Sequence, residues 1–346
     1  MEDEESDDIG PYDRKQSDED LWFVPPFESD EEEDPFAMPL PKAPRQSLLD
    51  HSEWRAAEAL HSHAIADLRF DLGRLVERVQ MMGRETVERL AHAEAASLSW
   101  WLGQRISQDR IALFLAWRIS ATGGDTEALQ SVAWAARRLM APPHTDGSLA
   151  DRIVSHLGIG HLKDMDATGD LADLIPDGSD LDAITTACAV FHLWRTLADR
   201  PDHAREIEAA VIGARLAMAN AGQHLGFVPI SLAGSKPLTA SGSVERKLAG
   251  WIAGIHASIL SALLTLERLR QWKSGATVAI EDLNGRIPML LIGIFSHHPM
   301  IAGPQIEEES GASQAAVQRN LKIFHDRGLI REVTGQGRFR VWTARM

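Results

Sequence analysis

A helical pattern of apolar residues runs through most of the chain. From Ser47 to about Ala276, apolar side chains recur at three- and four-residue steps, which places them along one face of successive α-helices. The first such stripe comprises Trp54, Ile65, Leu68, Leu72, Leu75 and Val79. A glycine pair at 123–124 and a proline pair at 142–143 interrupt this helical pattern. The pattern therefore predicts a mainly α protein with an all-helical domain over residues 47–283.

The first 46 residues have the opposite character. They are rich in acidic side chains, with runs at 2–5 and 30–34, and prolines separate short apolar islands. Such a segment buries too little apolar surface to offset the entropy of ordering it, so residues 1–46 are predicted to form a disordered acidic tail. The islands at 21–24 and 35–40 leave two roles open: a solvating tail, or docking motifs for a partner or for the protein's own body.

Composition narrows the class of protein. The one cysteine, Cys188, lies among apolar neighbours, which favours a reducing compartment and a buried core position over a catalytic thiol. No uninterrupted apolar run approaches the roughly 20 residues of a membrane-spanning helix, and the acidic start is unlike a secretory leader. We therefore expect a cytoplasmic protein with no membrane association.

The formal net charge of −15 is unevenly distributed along the chain. Acidic residues crowd the tail, whereas arginine and lysine outnumber the acids from Arg286 to the end of the sequence. An acidic tail combined with a basic end is the charge asymmetry typical of nucleic-acid-binding proteins.

Residues 284–346 show a different pattern, in which residues that start and stop helices follow each other closely. Pro288 suits the first turn of one helix, and a short helix over 302–310 stops at Gly311. Ser313 is placed to cap a further helix. The buried stripe of that helix would comprise Ala316, Val317, Leu321 and Phe324. Two short helices joined by a tight turn are the helix-turn-helix arrangement of DNA-binding proteins.

Two short strand patterns around a glycine-rich turn at 334–337 complete the segment as a β-hairpin, so a winged helix-turn-helix is predicted. In such a module the second helix enters the major groove, where glutamine and arginine read adenine and guanine, and wing arginines suit phosphates or the minor groove. The residues predicted to contact DNA are Ser313, Gln314, Ala315, Gln318, Arg319 and Lys322 on the helix and Gln336, Arg338 and Arg340 on the wing.

The stretches 296–299, 311–313 and 328–342 also carry a family resemblance. Their most specific piece, Ile-Arg-Glu-Val-Thr-Gly-Gln at 330–336, resembles the C-terminal DNA-binding domain of a family of helix-turn-helix proteins. Many of these are encoded on plasmids of rhizobia and their alphaproteobacterial relatives. In that family a helical domain of unknown function precedes the helix-turn-helix, so the resemblance covers roughly residues 47–346. It implies a DNA-binding regulator whose effector is unknown.

The same C-terminal pattern is similar to the winged helix that follows the catalytic core of many Fic proteins, which transfer AMP. The stretch 94–103 is similar to the Fic inhibitory helix, although Leu102 stands where that motif has glutamate. The Fic catalytic loop has no counterpart here, because its nearest fragments, 224–227 and 284–286, lie far apart. This resemblance therefore implies a catalytically inactive relative or a shared architecture.

The sequence contains little evidence of a metal-binding or catalytic site. His61 and His63 are two residues apart on a predicted helix, which puts them on different sides and makes them poor metal ligands. No phosphate-binding glycine loop, Cys-X-X-Cys pair or nucleophile elbow is present. We predict no catalytic residues, no metal site and no cofactor. An effector, either a small molecule or a protein, would bind the helical domain.

These observations predict a sequence-specific DNA-binding protein, a transcriptional regulator without catalytic activity. We expect it to bind double-stranded DNA as a homodimer, because one helix and one wing supply few contacts. The alternative is a catalytically inactive Fic-like interaction protein whose helical body binds a protein partner.

Overall fold

A computed structural model describes residues 50–83, 85–117, 126–142, 144, 146–158, 180–198, 202–219, 224–334 and 340–346. All of these residues belong to one unit, Pro44–Met346. The tail predicted over residues 1–46 lies outside the described residues.

Helices dominate the described residues, which confirms the predicted mainly α class. The helical body comprises α1 (His51–Leu60), α2 (Ser62–Met82), α3 (Glu85–Trp101), α4 (Gln108–Trp117), α5 (Thr126–Met140), α6 (Leu149–Leu157), α7 (Ala183–Leu197), α8 (Asp202–Leu216), α9 (Lys236–Thr239) and α10 (Val244–Ala279). Several begin at side-chain caps that the sequence encodes locally. At α6 the backbone N–H of Asp151 donates to Ser148 Oγ at 3.1 Å, and the Asp151 carboxylate accepts from the backbone N–H of Ser148 at 3.0 Å.

The long helix α10 contributes to two hydrophobic cores. Its first half buries Trp251 and Ile255 in the core of the helical body, together with residues of α2, α3, α7 and α8. Its second half buries Leu269, Trp272 and Ala276 in a second core that the C-terminal residues complete. Since both cores bury residues of the same helix, the body and the C-terminal segment are packed onto one continuous element.

α10 is also long and apolar enough to cross a membrane by length and composition alone, with a mean hydropathy of 1.6 over its most apolar window. Within the protein 44% of that window is buried, and its buried side chains face the core of the helical body. It is the one such helix among the described residues.

The C-terminal segment combines short helices with a small sheet. Its elements are α11 (Ile287–His297), β1 (Ile301–Ala302), α12 (Gly303–Ser310), α13 (Gln314–Asp326), β2 (Ile330–Glu332) and β3 (Val341–Ala344). The sheet has three antiparallel strands in the order β1–β3–β2, with Trp342 paired to Ile301 on one side and Glu332 on the other. The sequence pattern predicted the two arms of the hairpin, β2 and β3, but not β1, because two residues are too few to show strand alternation.

Close packing against α10 leads to a first prediction, based on two glycines of that helix. A Cβ at Gly254 would clash with Pro237 Cδ in α9, whereas nothing lies within 4 Å of a Cβ at Gly275. Gly254→Ala is therefore expected to lower the free energy of unfolding by about 1–3 kcal/mol through overpacking. Gly275→Ala, on the same helix, is expected to raise it by about 1 kcal/mol through helix propensity. Urea denaturation followed by circular dichroism measures both changes, and equal effects of the two substitutions would contradict the packing described here.

Candidate nucleic-acid interface

The turn between α12 and α13 is fixed by local backbone chemistry. Gly311 ends α12 in the left-handed region, with φ +63°, which glycine adopts without steric cost. The backbone N–H of Ala312 then donates to Ser310 Oγ at 3.3 Å. Ser313 caps α13 as predicted, because its hydroxyl accepts from the backbone N–H of Ala316 at 3.4 Å. The two helices therefore meet at a turn that their own residues determine.

α13 has one buried side and one exposed side. The buried residues Val317, Leu321 and Phe324 face the C-terminal core, as predicted. The six helix positions predicted to contact DNA are all exposed: Ser313, Gln314, Ala315, Gln318, Arg319 and Lys322. The side chain of Gln318 also reaches back over the first turn of α12, since a Cβ at Gly303 would lie 3.4 Å from its Nε2. The helix thus presents an exposed and mostly polar face, and the role of that face in binding DNA stays a prediction.

The positive charges of the C-terminal segment are not all available to a ligand. Arg327 makes a bidentate ion pair with Asp282, at 2.6 and 2.7 Å. Arg331 pairs with Asp109 of α4 at 2.7 Å. Arg319 and Lys322 pair with no acid within the described part of the chain. A count of basic residues in the sequence therefore overstates the free charge, and two of the cations that remain, Arg319 and Lys322, lie on α13.

The predicted wing is described in part. The arms of the hairpin pair as far as Val333, whose backbone N–H donates to the carbonyl of Val341 at 2.8 Å. Arg340 is exposed, with its Nε 3.6 Å from a carboxylate oxygen of Glu332, while Val341 is buried. Gln336 and Arg338 lie outside the described residues, so their predicted contact with DNA remains a prediction from sequence.

Hydrogen bonds attach the C-terminal segment to the helical body. The indole N–H of Trp272 in α10 donates to the carbonyl of Leu329 at 2.9 Å. Arg89 in α3 is 5% exposed and donates to the carbonyls of Phe295 and His298 at 3.0 and 2.7 Å, at the end of α11. Burial lowers the pKa of Arg89 to about 10, so it stays charged at neutral pH. These contacts could not be predicted from sequence, because the partners lie far apart along the chain.

The helical body contains an open cleft of about 550 Å³ between α3 and α10. Trp100 and Trp101 line one wall, and Ser261 and Thr265 of α10 line the other. Trp100 is 63% exposed, and the guanidinium of Arg105 covers one face of its ring at 5.8 Å. Among the described residues of the helical body, this cleft is the one lined by aromatic side chains. From the sequence an effector is expected to bind this domain, and that expectation stays a prediction.

Glu94 lies beside this cleft, in the stretch that resembles the Fic inhibitory helix. It is fully buried, and one carboxyl oxygen accepts from the backbone N–H groups of Ile230 and Ser231, at 3.0 and 2.8 Å, and from the Ser231 hydroxyl at 2.8 Å. Burial raises the pKa of Glu94 to about 7. The carboxyl group therefore ties α3 to the loop before α9, a role that the sequence did not reveal.

The other residues that could be reactive or bind metal, a cysteine and two histidines, have structural surroundings. Cys188 is fully buried in the body core, as predicted, and burial raises the pKa of its thiol well above the usual value. No group of three or more potential metal-ligating side chains occurs among the described residues. His61 Nε2 lies 3.4 Å from a carboxylate oxygen of Glu245, and His298 Nε2 lies 2.9 Å from a carboxylate oxygen of Glu309, so the side chain of each histidine has an acidic partner.

Comparison with known proteins adds no family assignment. No protein-family model matches this chain, and no curated protein matches it either.

The buried carboxyl group leads to a second prediction. In the folded protein Glu94 holds its proton up to a pKa of about 7, whereas an unfolded glutamate loses it near 4.5. Between these values the unfolded state binds fewer protons, so the free energy of unfolding falls as pH rises. Relative to wild type, Glu94→Gln is therefore expected to gain about 3 kcal/mol of stability between pH 4.5 and 7. Denaturation at a series of pH values measures the difference.

Glu281→Gln is the control for this measurement, because Glu281 is an exposed glutamate just beyond α10. Its stability curve is expected to run parallel to that of wild type. A difference between wild type and Glu94→Gln that does not change with pH would show that the buried carboxyl group is ionised throughout.

Proposed function

We propose that this chain is a sequence-specific DNA-binding protein, a transcriptional regulator without catalytic activity. In this proposal α12 and α13 act as a helix-turn-helix, α13 lies in the major groove of duplex DNA, and the β2–β3 hairpin acts as a wing. One observation carries the proposal. The six helix positions that a recognition helix would use are all exposed, while the other side of α13 is held in a hydrophobic core.

The chemistry of the exposed face fits base and phosphate recognition. Gln318 and Arg319 lie in the first half of α13, the part of a recognition helix that meets base edges. Glutamine reads adenine and arginine reads guanine through pairs of hydrogen bonds. Lys322, one turn later, would neutralise a phosphate. Anchoring by Val317, Leu321 and Phe324 supports this assignment, because a rigid helix loses little entropy on binding.

The two cations on the exposed face of α13 support the proposal, although α12 carries three glutamates, Glu307, Glu308 and Glu309. Asp282 and Asp109 are each paired with an arginine, so they offset little of the charge on α13. The described contacts of Glu309, on α12, are with His298. The unpaired cations of α13 are then free to displace counterions from DNA, which makes binding salt-dependent.

The third prediction separates base reading from phosphate contact. Full-length Gln318→Ala/Arg319→Ala is expected to lose preference for a sequence selected from a random pool, because each bidentate pair discriminates by about 1–3 kcal/mol. Lys322→Ala is expected to weaken binding to all sequences alike and to reduce the slope of log K against log salt concentration by about 0.9. Fluorescence anisotropy with labelled duplexes measures both effects.

Lys236→Ala is the matched control, since it removes an exposed lysine of α9 in the helical body. Its affinity and salt slope should equal those of wild type. Retained sequence preference in the double variant would disprove the recognition role of Gln318 and Arg319, and absence of DNA binding by wild type at low salt would disprove the proposed function.

The cleft of the helical body favours a second function, binding of a protein partner, which the Fic-like alternative also calls for. Three exposed apolar side chains, those of Trp100, Leu260 and Leu264, lie on the helices that form this cleft. We propose a second copy of the chain as the partner, because a homodimer would also double the contacts available for DNA.

The fourth prediction tests this partner. Trp100→Glu/Leu264→Glu places charge on the apolar rim and is expected to convert a dimer into a monomer, which sedimentation velocity resolves. Leu60→Glu is the control, because Leu60 is 74% exposed at the end of α1, away from the cleft lining. Unchanged sedimentation of the double variant, or a wild-type protein that is monomeric at high concentration, would rule out self-association through this cleft.

A further inference from the structure

The cleft between α3 and α10 is lined by uncharged side chains. Its volume of about 550 Å³ lies within the range of sites that hold small molecules. The described lining consists of tryptophan, serine, threonine, glutamine, alanine, leucine and glycine, and none of these residues is charged. An ion that entered the cleft would lose part of its water shell without gaining an opposite charge. The cleft therefore favours an uncharged ligand.

The cleft has a floor and a rim that differ in exposure. The partly buried side chains of Trp101, Ser261 and Thr265 form the floor. Trp100 is exposed and belongs to the rim, while Leu264, which is proposed to contact a second copy, does not line the cleft. A small ligand on the floor therefore leaves the apolar rim available for self-association.

A strained turn holds the aromatic rim in place. Arg105 has a backbone φ of +47°, in the left-handed region that residues other than glycine rarely adopt. The backbone N–H of Gln104 donates to the carbonyl of Ser99 at 2.8 Å, and that of Ile106 donates to Ser99 Oγ at 2.9 Å. These bonds place the Arg105 guanidinium 5.8 Å from the centroid of the Trp100 ring. Backbone strain of this kind is concentrated at binding sites.

The polar groups of the cleft match a ligand with hydroxyl groups. Thr265 Oγ1 donates to the carbonyl of Ser261 at 3.0 Å, and Ser261 Oγ lies 3.5 Å from the carbonyl oxygen of Leu232. Each hydroxyl uses its proton within the protein and keeps lone pairs that can accept from a ligand. Gln108, at the start of α4, lines the cleft with an exposed side chain, whose amide both donates and accepts.

We propose that this cleft binds an uncharged sugar of one or two rings. The C–H face of a sugar ring packs against the indole of Trp100, and its hydroxyl groups donate to Ser261 and Thr265 and bond to the amide of Gln108. A sugar combines an apolar ring face, hydroxyl groups around its edge and no charge, which are the three properties that the lining calls for. An apolar aromatic compound would displace water from the floor hydroxyls without replacing its hydrogen bonds.

The position of the site also assigns a regulatory consequence, which rests on the proposed homodimer. A second copy on the rim encloses a sugar on the floor and adds contacts to it, so the dimer binds the sugar more tightly than the monomer does. Coupling of this kind is reciprocal, so the sugar strengthens self-association by the same factor. Because a dimer carries two copies of α13, the sugar would then raise the affinity for DNA.

The test titrates the full-length protein with glucose, galactose, mannose, maltose, cellobiose and lactose, and with glucuronate and lactobionate as charged probes of matching size. Isothermal titration calorimetry is expected to show binding of at least one neutral sugar, at least tenfold tighter than the charged probe. Ser261→Ala/Thr265→Val removes both floor hydroxyls and should weaken that binding at least tenfold, because two hydrogen bonds to the ligand are lost.

Thr277→Val is the matched control on the same helix. Thr277 Oγ1 donates to the carbonyl four residues earlier, that of Lys273, at 2.9 Å, as Thr265 does to Ser261, but Thr277 does not line the cleft. This variant should bind the sugar as wild type does. Equal weakening by Thr277→Val and by the floor variant would show that the effect comes from α10 itself and would overturn the assigned contacts.

A second variant and a spectroscopic measurement keep the test decisive if the floor variant misfolds. Ser261→Phe fills the cleft from α10 and is expected to abolish sugar binding. In NMR spectra of the wild-type protein, the indole N–H signal of Trp100, assigned by its loss in Trp100→Phe, should shift when the sugar is added. Binding of none of the neutral sugars, or binding that both Ser261 variants leave unchanged, would overturn the proposal.

Sedimentation velocity and anisotropy with labelled DNA separate this proposal from the proposed function. A bound sugar is expected to raise the association constant of the dimer at least threefold. Sugar binding by a protein that stays monomeric and does not bind DNA would support the site and refute the proposed function. Sugar binding with unchanged self-association would refute the regulatory coupling while the site itself stands.

Discussion

The packing of α10 in two hydrophobic cores is the constraint on which the rest of the molecule depends. At a rise of about 1.5 Å per residue, its 36 residues form a rod of about 54 Å. One end holds Trp251 among the helices of the body, and the other holds Trp272 under the C-terminal segment. The orientation of α13 follows from this arrangement, because the core that buries Val317 and Phe324 is completed by α10. The exposed face of α13 is therefore held in place by packing against the long helix α10.

Much of α13 and its turn could be predicted from sequence because the signals are local. Gly311, Ser313 and the stripe of Val317, Leu321 and Phe324 lie within a few residues of the structure they determine, and the exposure of Gln318 and Arg319 follows from the same helical period. The end of α10 could not be predicted in this way. The sequence predicts a long helix from about Val244 to Trp272, but the helix continues to Ala279 because Ala276 and Ile280 are buried in the C-terminal core, a contact that no local pattern encodes. The two-residue strand β1 was missed for the related reason that only its partner β3 defines it.

The electrostatics of the C-terminal segment were the least predictable part. The pairs Arg331–Asp109 and Arg327–Asp282 join residues 222 and 45 positions apart, so a count of charges along the chain treats these arginines as free. The same separation hid the environments of Glu94 and Arg89, whose burial depends on packing between distant segments. In each case the residue type was visible in the sequence, and the partner that determines its chemistry was not.

A C-terminal segment that completes its core with residues of the helical body cannot be inherited as an independent unit. A recombination junction at 283–284 would separate Leu269, Trp272 and Ala276 from the side chains that cover them, and would leave both fragments with exposed apolar surface. Substitutions on either side of the junction must therefore remain compatible with each other. Such a chain diversifies by changing its surface residues over a fixed scaffold, and not by exchanging one half for that of another protein.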